Sequence, residues 1–354
     1  MDVGRYMAER GHEMLAYCND SDVGLRAIIA IHDTTLGPAL GGLRMRAFAS
    51  EEDAVLDALR LSEGMTLKSS AAGIDLGGGK AVLFGDPDRD KTLPLFERVG
   101  EFIDRLGGMY ITAEDVGTSV EDIEVVGRKT KWVTGVSRDR GSSGDPSPFT
   151  ALGVFEAMRA SCEHVFGSDD LSSRTVAVQG VGHVGRCLVE RLVNAGASVV
   201  VGDIRQGALD EVCETFKVKA VPPEEVLFQE VDVVAPCALG AMLNDESIPR
   251  LRCRIVCGSA NNQLKDDGHG DALTERGVFY MPDFVANAGG IINIFVELEP
   301  QRYSSERATE YVERIYERAQ HVIDLSRREG VCTHRAAVLM AKRRIEEARQ
   351  TAGE

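Results

Sequence analysis

Residues 175–196 read TVAVQGVGHVGRCLVERLVNAG: a β-branched run, a glycine turn, then apolar residues at helical spacing. Gly180, Gly182 and Gly185 follow the strand-like run directly and open the helical one. Gly180 permits a tight turn, Gly182 lets backbone amides approach a pyrophosphate, and Gly185 lets helix and strand pack closely. Such a loop alone is weak evidence, since glycine is common in turns; its surroundings decide the reading. Downstream, "SVVVGD", "VDVVAP" and "RIVCGS" are further short apolar runs separated by helical segments, the pattern of a parallel sheet covered on both faces. The run after the glycine loop ends at Asp203, where a carboxylate accepts hydrogen bonds from adenosine ribose hydroxyls. This predicts a Rossmann-type domain. Asp203 would repel the 2′-phosphate of NADP and so favours NAD, with Arg205, a possible partner for that phosphate, as the competing feature.

Upstream, "GSSGDPSPF" at 141–149 is the densest group of chain breakers and reads as a domain junction, with Pro148 in the first turn of the next helix. Residues 1 to 140 alternate strand-like runs such as "LRAIIAIH" and "KAVLFG" with helical ones. One of these, "SEEDAVLDALRLSEGM", starts from Ser50 as N-cap with Asp53 three positions on, buries Val55, Ala58 and Leu59, and is expected to end near Gly64. At the other end, "SERATEYVERIYERAQHVIDLSRR" predicts one long amphipathic helix with Ala308, Val312, Ile315, Ala319 and Val322 on its apolar face. A last helix, "AAVLMAKRRIEEARQ", docks back on the body. The expected architecture is α/β in two domains with a cleft between them. Residues 1–140 plus 331–354 form a substrate-binding and oligomerisation domain, and 141–330 a Rossmann-type domain.

The 354 residues exceed one ordinary core, and 44% apolar with 27% charged residues is the balance of a globular protein. A net charge of −16 argues against nucleic acid as a partner and denies an anionic substrate any long-range attraction. Binding of an anion must then rest on a few local cations. No apolar run is long enough to cross a bilayer, and "MDVGRYMAERGHEM" lacks the apolar core of a signal peptide, so the expected location is the cytoplasm. The eight cysteines form no CxxC and read as reduced structural thiols, with Cys253 and Cys257 flanking a buried strand. The seven histidines form no HExxH, and no metal site is expected.

Two lysines stand out. In "GMTLKSSAAGIDLGGGK", residues 64–80, Lys68 and Lys80 lie among small residues, and Gly77–Gly79 strip side chains from the approach to Lys80. Two ammonium groups crowded into one partly dry cleft lower the proton affinity of one, which becomes a usable base while the other holds a carboxylate. Asp115 in "YITAEDVG" sits at an expected strand end facing that cleft. Two cations and a carboxylate beside a nicotinamide suggest amine chemistry coupled to hydride transfer.

The segments "GPALGGLRM", "LKSSAAGIDLGGGK", "YITAEDVG", "GSSGDPSPFTALGV", "VQGVGHVG", "APCALGAMLND", "GSANNQL" and "ANAGGIIN" together resemble the glutamate/leucine/phenylalanine/valine amino-acid dehydrogenases, closest to their leucine dehydrogenase branch. The resemblance covers nearly the whole chain. It implies that Lys68 binds the substrate α-carboxylate, that Lys80 activates water for attack on an imino acid, and that Asp115 transfers protons. Leu40, Gly41, Gly42, Met65, Ala113, Asn262, Ile291 and Ile294 would surround the substrate. Thr150, Asn261, Cys237, Ala238 and Ile204 would contact the cofactor, together with the loop residues Gly180, Val181, Gly182, His183, Val184 and Gly185 and the ribose ligand Asp203. The implied reaction is reversible oxidative deamination of an L-amino acid with NAD, in a homo-oligomer, an octamer before a hexamer or dimer.

Family members acting on glutamate carry a lysine where Leu40 stands, and an unpaired buried carboxylate costs several kcal/mol, so branched-chain or other aliphatic substrates are expected. A phenylalanine or other apolar amino-acid dehydrogenase is the alternative. Added methylenes at Ile291 and Ile294 shrink the pocket and Gly79 enlarges it, each worth ~1 to 3 kcal/mol of discrimination. A catalytically silent NAD-binding protein is the reading from a different class, and the presence of Lys68, Lys80 and Asp115 weighs against it.

Overall fold

The β-branched runs of the second half line up as anticipated. In the computed structural model, which describes residues 2–136 and 143–352, the chain divides into two units. The first comprises Met1–Gly144, Ile294–Ser304 and Ala341–Glu354; the second comprises Asp145–Asn293 and Ser305–Met340.

The first unit runs α1 (Val3–Arg10), β1 (Met14–Asp20), β2 (Leu25–Asp33), β3 (Ala39–Arg46), α2 (Glu51–Ala72), β4 (Gly77–Phe84), α3 (Leu93–Arg105), β5 (Tyr110–Glu114) and α4 (Val120–Val126). Its five strands are ordered β1-β2-β4-β3-β5, antiparallel across the first two pairs and parallel across the last two. Alternation along β4 sends Val82 toward α2, where it joins Ile28, Ala30, Val55, Ala58 and Leu59, and sends Ala81 and Leu83 into the opposite core with Phe96, Val99, Ile103 and Tyr110. The sheet therefore lies between two helical layers.

Helix α2 starts as expected: Asp53 N–H donates to Ser50 Oγ at 3.1 Å, and Ser50 Oγ donates to Asp53 Oδ2 at 2.8 Å. It does not stop at Gly64. It continues to Ala72 and ends on Gly73, whose φ of 69° supplies the left-handed cap. The last turns are held by Thr66 packed against Gly78, by Ser69 donating to the Gly77 carbonyl and by Ser70 donating to the Ala341 carbonyl. A Cβ on Gly78 would collide with Thr66 and the Ser62 carbonyl, one on Gly77 with the carbonyls of Asp33 and Gly37, and one on Gly79 with the Tyr110 ring. The bare backbone of Gly77–Gly79 thus admits the protein's own helix, loop and aromatic ring. Gly79 opens no room for a ligand on that side, contrary to the expectation from sequence.

The second unit runs α5 (Ser147–Phe166), β6 (Thr175–Gln179), α6 (His183–Asn194), β7 (Ser198–Gly202), α7 (Gln206–Phe216), β8 (Lys219–Ala220), β9 (Val233–Pro236), β10 (Ile255–Val256), α8 (Gly268–Glu275), β11 (Phe279–Tyr280) and α9 (Asp283–Ala286). Next come α10 (Gly289–Leu298), α11 (Ser305–Glu313), α12 (Ile315–Glu329) and α13 (Thr333–Ala352). Its six strands are parallel in the order β11-β10-β9-β6-β7-β8, a doubly wound sheet whose order reverses between β6 and β9. Pro148 does lie in the first turn of α5. The expected single C-terminal helix is two, separated at Arg314, whose φ of −65° and ψ of −7° make a tightened turn; all five predicted apolar-face residues are buried.

The division differs from the sequence reading in two ways. The boundary expected at 140/141 falls in residues 137–142, outside the described residues, and the units part at Gly144/Asp145. The return to the first unit begins at Ala341 and not at 331, and Ile294–Ser304 also belongs there. Side-chain bonds explain both shifts. The start of α13 is tied to the second unit by Thr333 donating to the Tyr280 carbonyl and by Arg335 bonding Asp271 at 2.6 Å. Its later turns are tied to the first unit through Ser70 to the Ala341 carbonyl (2.7 Å) and Arg344 to Asp75 (2.6 Å). Glu297 accepts from Ser143 Oγ at 2.7 Å.

Candidate active site

Within the first unit, the sheet brings the predicted substrate residues to one end. Leu40 and Ala113 are 1% and 8% exposed, Ala113 is the cross-strand partner of Gly42, and Asp115 directly follows β5. Met65 and Lys68 are half-buried on α2. Gly41 and Gly42 are required by the chain itself. A Cβ on Gly41 would enter the Gly79 carbonyl, and one on Gly42 would stand 2.7 Å from the Asp115 Cβ. Tyr110 Oη donates to the Gly41 carbonyl at 2.6 Å and fixes that glycine pair from below the sheet.

Lys80 is 5% exposed, and its Nζ lies 2.6 Å from Asp115 Oδ2. Burial lowers its proton affinity below that of an ordinary lysine; Asp115 opposes the fall, Arg44 adds to it, and Asp57 opposes it again. Dehydration acts first, and Arg44 adds a like charge that the sequence reading did not include. That arginine donates from Nε to Asp115 Oδ2 at 2.9 Å and from Nη1 to Asp57 Oδ2 at 3.0 Å. For Asp115 burial favours the neutral acid, but Lys80 and Arg44 outweigh it and hold the carboxyl below the usual range. Arg44 and Asp57 were missed from sequence. The available signal was the alternation that puts Arg44, in "GGLRM", on the same face of β3 as Gly42.

In the second unit the glycine loop has the geometry its spacing predicts. Gly180 has φ +91° and abuts Ala238, while a Cβ on Gly185 would strike the Gly180 carbonyl. Gly182 is the N-cap of α6 and offers no side-chain cap, so no side chain competes for the first-turn amides of His183, Val184 and Gly185. Asp203, at the end of β7, accepts from Val181 N–H and Arg205 N–H, each at 2.8 Å. Burial raises its proton affinity, but these amides and the Arg205 side chain hold the carboxyl below its usual range. The Arg205 guanidinium is turned onto Asp203 at 3.3 Å from Nε. Ile204 and Leu239, 87% and 68% exposed, follow the carboxyl ends of β7 and β9 and give apolar surface beside the loop; Leu239 was not anticipated. An uncapped helix start, an ionised aspartate and apolar flanks suit an adenine dinucleotide.

Cys237 is half-buried and Ala238 exposed beside that loop. Thr150 is half-buried in the first turn of α5, its Oγ1 donating to the Pro146 carbonyl at 3.1 Å. Asn261 and Asn262 are exposed; Asn262 adopts φ 53°, and Asn261 Oδ1 accepts from Asn287 Nδ2 at 2.8 Å. Ile291 and Ile294 stand one turn apart on α10, the first buried and the second half-buried.

Comparison with known proteins agrees with both halves. Residues 12–132 match the profile "Glu/Leu/Phe/Val dehydrogenase, dimerisation domain" and residues 202–353 the profile "Glutamate/Leucine/Phenylalanine/Valine dehydrogenase". The chain is 50% identical to a leucine dehydrogenase of Thermoactinomyces intermedius, covering 99% of this chain and 95% of that one. It is 44% identical to a valine dehydrogenase of Streptomyces coelicolor, covering 96% and 93%. The crystal structure of an L-tryptophan dehydrogenase from Nostoc punctiforme superimposes with a TM-score of 0.88 at 38% identity, covering 98% of this chain and 99% of that one.

Proposed function

Because the chain belongs to the Glu/Leu/Phe/Val dehydrogenase family, we propose that it catalyses reversible, NAD-dependent oxidative deamination of a branched-chain L-amino acid to the 2-oxo acid and ammonium. NAD supplies the hydride acceptor, held by the Gly180–Gly185 loop and Asp203, with Thr150, Asn261, Ile204, Cys237 and Ala238 around it. The pairing of Arg205 with Asp203 leaves that cation neutralised and supports NAD over NADP. Lys68 binds the substrate carboxylate, and Asn262 and the main chain at Gly41 and Gly42 orient the substrate. Lys80 takes a proton from the water that attacks the imino acid, and Asp115 passes protons to and from the amine. The single observation that carries this reading is a buried Lys80 on Asp115 with a permanent cation beside them; burial and that cation lower the lysine's proton affinity against the pull of the carboxylate.

Leu40, Ala113, Met65, Ile291 and Ile294 supply no charge for a substrate side chain, which supports leucine, valine and isoleucine over glutamate. The same wall is compatible with phenylalanine. We propose a cytoplasmic homo-oligomer, an octamer first. Among the described residues no helix is long and apolar enough to cross a membrane.

A substrate panel read by NADH absorbance tests this. Turnover should be highest with a branched-chain amino acid and with NAD; a preference for glutamate or for NADP would overturn the corresponding assignment. Lys80→Ala should lower kcat by about 10²-fold or more with modest change in KM, whereas Lys68→Ala should raise KM strongly. In the unaltered enzyme kcat/KM should rise with pH through an apparent pKa below the ordinary lysine value of 10.5.

A further inference from the structure

Two cations share one oxygen at this site. Lys80 Nζ and Arg44 Nε both approach Oδ2 of Asp115, at 2.6 and 2.9 Å, and Arg44 is held from its other side by Asp57 at 3.0 Å. The guanidinium keeps its charge at every working pH, whereas the ammonium does not. The four groups come from four elements: Arg44 from β3, Asp57 from α2, Lys80 from β4, and Asp115 from the end of β5. Asp115, Arg44 and Asp57 are charged groups that act on Lys80 from the elements packed about it; β2 presents Ala30 at the paired position, and Lys68 is carried by the same helix as Asp57.

We propose that Arg44, anchored by Asp57, is a positioning residue that pins Asp115 and offsets its charge, so that Lys80 loses its proton more readily than it would beside an uncompensated carboxylate. This rests on the assignment of Lys80 as the base. With all four groups ionised the formal charges cancel. When Lys80 releases one proton to solvent it becomes a neutral amine, and the cluster carries one net negative charge, held on Asp57 and on an Asp115 that still has its arginine. Without Arg44 that step would leave Asp115 with no counterion, and Lys80 would hold its proton more tightly. Without the charge of Asp57 the arginine is less compensated, and Lys80 would lose its proton more readily. Two carboxamide or amide replacements in one chain of contacts are therefore expected to act in opposite directions, which a purely structural role does not produce.

The pH dependence of kcat/KM, measured on the full chain for the unaltered enzyme and for Arg44→Gln, Arg44→Lys, Asp57→Asn and Lys80→Ala, tests the idea. The rising limb should move to higher pH in Arg44→Gln and to lower pH in Asp57→Asn, each by about half a pH unit or more, and Arg44→Lys should lie nearer the unaltered enzyme. Should Arg44→Gln fail to fold, the downward shift in Asp57→Asn decides the matter alone. Shifts of the same sign, or no shift in Asp57→Asn, overturn the proposal while leaving the base assignment intact if Lys80→Ala is inactive. A Lys80→Ala enzyme with unaltered kcat overturns the base assignment itself.

Discussion

Asp115 illustrates how one side chain is placed by constraints from three directions. Gly42 leaves room for its Cβ, Lys80 and Arg44 meet its Oδ2, and its own backbone amide accepts no freedom, since Asp115 N–H donates to Thr118 Oγ1 at 3.0 Å. Its depressed proton affinity has a stability consequence whose sign is fixed. The contribution is present above the ordinary aspartate value of 3.8 and is lost as pH falls through the lower folded-state value. Gly79 makes the complementary point. A methyl group there would lie 2.7 Å from the Tyr110 ring, whose hydroxyl supports Gly41. Gly79→Ala is therefore expected to cost about 1 to 3 kcal/mol of unfolding free energy by overpacking and to leave the ratio of leucine to valine turnover unchanged. Denaturant titration and a two-substrate assay check both halves; a changed ratio at full stability would restore Gly79 to the pocket wall.

At the level of elements, helix α2 separates what local sequence encodes from what it does not. Its start was legible because a serine cap and its partner are three residues apart. Its end was not, because Gly64 looks like a terminator, yet nothing lies within 4 Å of its missing Cβ. A mid-helix glycine costs only about 1 kcal/mol, less than the contacts that Thr66, Ser69 and Ser70 make by continuing. Gly64→Ala should accordingly raise the unfolding free energy by about 0.5 to 1 kcal/mol, measurable as a higher thermal midpoint; a lower one would mean that the site is not open. The strands and the glycine loop of the second unit were readable for the same reason as Ser50: their determinants are neighbours in sequence. The arginine that completes the site was not, because its two partners lie 71 and 13 residues away.

Across the whole molecule, helix α13 is shared: its start bonds within the second unit and its later turns within the first. Ending the chain after Met340 would remove buried Ala341 and Ile345 and strand Asp75 and Ser70 without their partners. Hydrogen exchange should then speed up in α2 and β4 while β6 and β9 keep their protection; uniform loss across both sheets would contradict this. The dryness that encourages Lys80 to shed its proton acts on the core thiols with the opposite sign, pushing Cys18 up to about 11 and Cys162 and Cys253 up to about 12. An alkaline interval consequently exists in which the amine is free while these sulfurs remain hydrogen-capped and sluggish toward alkylating reagents and peroxide. The molecule can run under basic conditions without arming its own interior against itself.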